Sequence, residues 1–221
     1  MKFYYRLFLL SVISSLSIGL TSCGDDDEDE GTPNNESSLL ISSTGTYNGY
    51  EYVDLGLSVM WASYNLGGES ATDYGDYFAW GETEAKTTYD SSTSTTYKVE
   101  MSDISGDEQY DAATALWGGS WRLPTQEEIE ELMEECTWSW LMIDSIFGYY
   151  VTADNGNSIF LPAGGGMSDE SIHYRRSRGY YWSSTPDADD KGNAMFLRFY
   201  NTEKYIRSDY RYTGRSIRAV Y

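Results

Sequence analysis

The chain has 221 residues, with 35 acidic side chains against 15 basic ones and a formal net charge of −20. Such a balance opposes a polyphosphate, and Arg175, Arg176 and Arg178 make too small a basic patch to reverse it, so nucleic acid is excluded as a partner. The length allows one domain plus a tail.

Lys2 and Arg6 precede an apolar run from Leu7 to Leu20, which is too short for a spanning helix and has the form of an export signal. The quartet Leu20-Thr21-Ser22-Cys23 resembles a bacterial lipobox. That resemblance implies a signal peptide over residues 1–22, cleavage before Cys23, and a protein held at a membrane by lipid on Cys23. An ordinary secreted or buried apolar segment is the alternative. With Cys23 acylated, Cys136 has no intramolecular disulfide partner, and the fold rests on its core.

Asp25 to Glu30 are six consecutive acids, followed by Gly, Thr, Pro, Asn and Ser with almost nothing apolar before Leu39. Residues 23–45 therefore read as the lipidated Cys and an acidic, self-repelling tether. An acid run directly after a lipid Cys is also similar to the surface-export signal of Bacteroidota lipoproteins, which implies the outer membrane and the cell surface. A solvated tether with no address is the alternative.

The domain occupies residues 46–221. Tyr50 to Trp61 predicts two short strands around a Gly turn, and Asp76 to Gly81 another strand, followed by a Ser/Thr-rich loop over 83–98. A helix is expected from an Asp107 cap to Trp117, ended by Gly118-Gly119. Trp121-Arg122-Leu123-Pro124 is extended, and Thr125-Gln126-Glu127-Glu128 is a capping box opening a second helix to about Cys136. Ile129, Leu132 and Met133 form its apolar stripe. Cys136 is read as a small apolar residue on that helix, near Trp138 and Trp140. Tyr149–Thr152 and Ser158–Leu161 flank Asp154-Asn155-Gly156-Asn157, a hairpin turn. Further strands are expected at Tyr180–Ser184, Ala194–Tyr200 and Gly214–Val220. Strands, then helices, then strands argue an α+β fold with antiparallel sheets.

Residues 45–170 carry 23 acids and 3 bases, whereas residues 171–221 carry 5 acids and 10 bases. Some of the early acids are therefore expected to meet the late arginines.

Tyr52 to Leu57, Gly75 to Glu82, Trp117 to Thr125, Ile159 to Ala163, Gly179 to Thr185 and Gly214 to Arg218 closely resemble the Fibrobacter succinogenes major paralogous domain family over roughly residues 47–221. More distantly, Trp121 to Thr125 and Gly214 to Arg218 are similar to sulfatase-modifying and C-type lectin-like folds. The resemblance implies two helices packed on twisted antiparallel sheets with long irregular loops. The family has no settled activity.

Relatives of the fold offer chemistries to compare. Formylglycine-generating enzymes use a cysteine pair, and only Cys136 is present here. Calcium lectins use Glu-Pro-Asn or Gln-Pro-Asp with a downstream Trp-Asn-Asp, and Trp182-Ser183-Ser184 has hydroxyls instead. Asp187 to Asn193 begins like an EF-hand loop, but Arg198 falls where the bidentate Glu belongs, so it reads as a solvated acidic loop. His173, the single histidine, has no nucleophile motif nearby and reads as a loop residue. Gly164-Gly165-Gly166 lacks a phosphate-loop lysine and reads as a flexible turn.

No catalytic residue, cofactor or metal is expected. Trp121, Trp182 and Phe196 are assigned to the core. Tyr174, Arg175, Arg176, Arg178, Tyr205, Arg207, Tyr210 and Arg211 are the candidate ligand-binding residues, each an apolar face or stem with a polar tip. The sequence thus points to a noncatalytic binding domain for a glycan or protein ligand. An enzyme acting on surface polysaccharide and a structural adhesive or coat protein are the alternatives.

Overall fold

The computed structural model describes residues 43–221. The expected signal peptide, Cys23 and all but the end of the tether lie outside the described residues.

Among the described residues, four small antiparallel sheets and two helices make up an α+β, mainly β, fold. β1 (Gly45–Tyr47) and β2 (Tyr50–Val53) form a hairpin around Asn48-Gly49, both at positive φ as a two-residue primed turn requires, and β3 (Trp61–Ala62) joins β2. Thr44 already belongs to this unit, donating its amide to the Tyr52 carbonyl at 2.7 Å. The segment after Gly56, expected as strand, runs irregularly to β3.

α1 is Ala112–Trp117, one turn shorter than expected, because Asp111 and not Asp107 is its cap. The buried Asp111 carboxylate accepts the amides of Ala113, Thr114, Gly106 and Leu123 and so fixes the chain on both sides of the helix. Gly118 closes α1 at φ 65°. α2 (Gln126–Glu135) begins with the capping box on Thr125 and Glu128 that the sequence predicts. Glu128 is also held by Arg122 in a two-pronged ion pair. Cys136 caps the end of α2 in extended conformation and does not lie within the helix.

β4 (Thr137–Ile143), β5 (Ile146–Thr152) and β6 (Ser158–Pro162) follow in meander order. The Asp154–Asn157 turn joins β5 to β6 as expected. β4 is not foreseen by the sequence reading, since its turn to β5 is Asp144-Ser145, two non-glycine residues at positive φ. β7 (Gly166–Ser168) pairs with β8 (Ser171–His173). The last sheet is β9 (Arg178–Pro186), β10 (Asn193–Tyr200) and β11 (Glu203–Tyr210), with β10 central.

Two expected strands are replaced by something more irregular. Asp76–Gly81 makes only one bridge, Phe78 to Arg215. Gly214–Val220 is extended but belongs to no sheet; it exchanges backbone hydrogen bonds in turn with Met167, Phe78, Tyr180 and Trp182, Leu66, Ala62 and Arg122. The C-terminus thereby sews separate sheets together.

Side chains alternate across the β9–β10 pair. Tyr181, Leu197 and Phe199 face one core cluster, which also holds Ile129 and Leu132 of α2 and the inner residues of β5 and β6. Trp182 and Phe196 face a second cluster with Trp80, Trp121 and α1. Trp121, Trp182 and Phe196 are buried, as expected. Gly179 has no side chain because the Phe199 ring lies across it: a Cβ there would be 2.0 Å from that ring.

Candidate ligand-binding face

The face of β9–β10–β11 that is core at Trp182 and Phe196 continues outward to solvent. By register, the next row across the three strands is Tyr180, Arg198 and Tyr205, and the row beyond is Arg178, Tyr200 and Glu203. The Arg198 guanidinium lies between two rings, 5.9 Å from the Tyr180 centroid and 5.6 Å from that of Tyr205. Arg207 stacks on the Tyr205 ring at 4.9 Å, and Arg178 lies over Tyr174 at 3.9 Å. Cation and ring alternate, each arginine held by a π face.

Tyr174 is 54% exposed and has φ 60°. Its carbonyl accepts both the Ser177 and Arg178 amides, which forms the tight turn leading into β9. Gly165 allows that turn to sit close, since a Cβ there would be 2.1 Å from the His173 carbonyl oxygen. Gly164-Gly165-Gly166, expected as a flexible turn, is therefore buried packing under the 173–176 loop. Non-glycine residues at positive φ store strain of about 1–3 kcal/mol, and here Tyr174 and Arg176 share one loop.

A groove of about 180 Å³ opens between this sheet and β7–β8, with Tyr174, Tyr180, Arg198, Asp209 and Arg215 in its walls. A second, shallower basin of about 470 Å³ adjoins it through Tyr174 and Arg198 and reaches Arg178, Tyr200 and Tyr205. Arg215 is only 4% exposed, with its guanidinium 3.6 Å from the Phe196 centroid and an ion pair to Asp209. Burial draws its pKa down to about 10, with Asp209 opposing.

The eight candidate residues thus separate. Tyr174, Arg178, Tyr205 and Arg207 come together on this face. Arg175 and Arg176, though exposed, engage other rings: Arg175 stacks on Tyr74 at 4.8 Å and donates to the Tyr77 hydroxyl, while Arg176 lies 5.9 Å from Phe147. Tyr210 is exposed and stacks on Tyr212 beside Tyr97, away from the groove lining. Arg211 is no surface residue: it is 1% exposed, lies 4.2 Å from the Trp80 centroid and donates to the carbonyls of Asn193 and Val99. Its long apolar stem and flat guanidinium pack as a core side chain does.

The sequence reading omits Arg198, Arg215 and Asp209 from the site. Period-two alternation on β10 was the available signal, because Leu197 and Phe199 inward place Arg198 and Tyr200 outward. Nothing local marks Arg215, whose neighbours come from distant strands.

His173 is exposed at the end of β8 and lines the groove. Asp187 accepts the amides of Asp189 and Asp190 within its own loop, and a Ser208 hydroxyl together with those amides holds it below the usual carboxylate range. Ser183 donates to the Met195 carbonyl inside the sheet, where Trp182-Ser183-Ser184 is wholly buried. Comparison of the chain with protein-family models, curated proteins and solved structures returned no match.

Proposed function

We propose that this chain is a bacterial surface lipoprotein of the Fibrobacter major paralogous kind, whose C-type lectin-like domain binds a glycan or protein ligand without chemistry. What carries the reading is the groove face, where Tyr174, Tyr180 and Tyr205 alternate with Arg178, Arg198 and Arg207 beside open space. Flat rings with polar tips, fixed by stacked guanidiniums, bind at low entropic cost because little is left to order. The order of elements, two helices among antiparallel sheets with long irregular connections, supports the lectin-like description.

Anchoring through lipid on Cys23 would present this face to the medium on an acidic tether. The test is a glycan and protein array probed with the full chain in mild detergent. Tyr174→Ala and Arg178→Ala should each weaken a captured ligand by roughly thirtyfold, as loss of a hot-spot aromatic or arginine does, with unchanged circular dichroism. Undiminished binding by both variants would overturn the assignment of this face.

A further inference from the structure

Arg215 lies at the back of the groove, 4% exposed, yet its Nε donor has no acceptor among the described residues. The Nε of Arg198, at the groove's other wall, is likewise buried without an acceptor. The two guanidiniums face one ring, 5.0 and 5.9 Å from the Tyr180 centroid, and repel each other. The one carboxylate among the residues lining the groove is Asp209, which pairs with Arg215 and is 42% exposed. Two arginines against one acid leave a net positive charge in this groove of a strongly anionic protein. An anion placed between them would balance this charge through charge-assisted hydrogen bonds to the terminal guanidinium N–H groups.

The same walls carry groups of another kind. Ser168, His173 and Thr213 offer hydroxyl and imidazole atoms, and Asp209 can accept a hydroxyl proton. Tyr180 supplies a flat apolar surface. A ligand that uses all of this has one carboxylate, several hydroxyls and an apolar ring face, which is the chemistry of an acidic sugar. The main volume, about 180 Å³, suits one ring of a larger molecule, because whole small-molecule sites run to about 300 Å³ or more. The adjoining basin past Tyr174 and Arg198 gives the neighbouring rings a path. An acidic peptide fits less well, since its carboxylate side chains bring no hydroxyl-bearing ring to set against Tyr180, Ser168, His173 and Thr213.

We propose that this groove binds a uronic-acid residue of an acidic polysaccharide, with its carboxylate between Arg198 and Arg215 and its ring against Tyr180. The inference rests on the ligand-binding reading above and names the ligand class. Isothermal titration of the full chain in mild detergent would use tetrasaccharides of galacturonate, hyaluronan and alginate, each beside its carboxyl-reduced neutral counterpart. At least one acidic tetrasaccharide should bind more than tenfold tighter than its neutral form, and Arg198→Gln should bring its affinity down to that of the neutral form. The comparison of acidic and reduced sugars is made on the unaltered protein and so stands even where a variant fails to fold. Equal affinity for acidic and neutral forms would overturn the carboxylate site and leave the glycan-binding face intact. Failure of all three acidic sugars, or capture of polyglutamate in their place, would overturn it as well, while the array decides separately whether the face binds anything.

Discussion

Cys136 shows how little a residue's type says about its reactivity. It is the free cysteine among the described residues, half-buried at the end of α2 and packed against the core of Ile129, Leu132 and Val151. Burial, with Asp154, Glu135 and Glu131 nearby, pushes its thiol up to about 11. Thiolate is the reactive form, so at pH 8 only about one molecule in a thousand carries it. Alkylation by iodoacetamide, followed at Cys136 by peptide mapping, should therefore be on the order of a hundredfold slower in the native protein than in urea, and should accelerate as pH rises toward 11. Equal native and unfolded rates would mean an activated thiol. The apolar reading of Cys136 was legible from its neighbours in sequence. Arg211 and Arg215 were not, because residue type argues for the surface, while the rings that cover them, Trp80 and Phe196, lie far away along the chain.

Elements were legible where their signal was local. The α2 capping box, the Gly118 stop and the Asn-Gly turn between β5 and β6 each require only a few adjacent residues, and each is present. β11 went unread because it is an edge strand with mostly polar positions, whereas Gly214–Val220 was read as a strand and is extended but outside any sheet, because its partners are six different segments. That closing segment is held by Arg218, 1% exposed, whose guanidinium donates twice to Asn65 Oδ1 and to the carbonyls of Ala62, Ser63 and Phe160. No carboxylate among the described residues pairs with it, and burial lowers its pKa to about 10. The fork geometry joins β3, the 63–65 loop and β6 to the C-terminus, which a single ammonium cannot do. Arg218→Lys should thus cost on the order of 3 kcal/mol in urea unfolding, since several buried carbonyls lose their donor. A loss below about 0.5 kcal/mol would show that the fork is dispensable.

At the scale of the molecule, the proposed lipid anchor and the charge balance each make a prediction. Because acylation needs the Cys23 thiol, Cys23→Ser should free the protein from membranes and abolish labelling by a fatty-acid analogue; equal labelling would refute the lipid anchor.

The expected meeting of early acids with late arginines forms no ion pair among the described residues, although Glu100 acts on the charge of Arg211 from nearby. The ion pairs of the described residues are Lys86–Glu82, Arg122–Glu128 and Arg215–Asp209, and none joins residues 45–170 to residues 171–221. The late arginines pack on aromatic rings instead, with Arg175 on Tyr74, Arg198 on Tyr180 and Tyr205, and Arg211 on Trp80. Residues 45–221 hold 28 acids against 13 bases, so most carboxylates face solvent and one another. Stacked cations draw their attraction at contact distance from a ring's fixed quadrupole, which dissolved ions barely screen, whereas repulsion among exposed carboxylates acts over about 10 Å and is screened. Salt should therefore remove more repulsion than attraction. Raising sodium chloride from 10 mM to 0.5 M should stabilise the fold by on the order of 1 kcal/mol, a rise in Tm of roughly 2–4 °C for a domain of this size. A fall in Tm over the same range would mean that unseen ion pairs, and not ring-stacked arginines, hold the acidic and basic halves together.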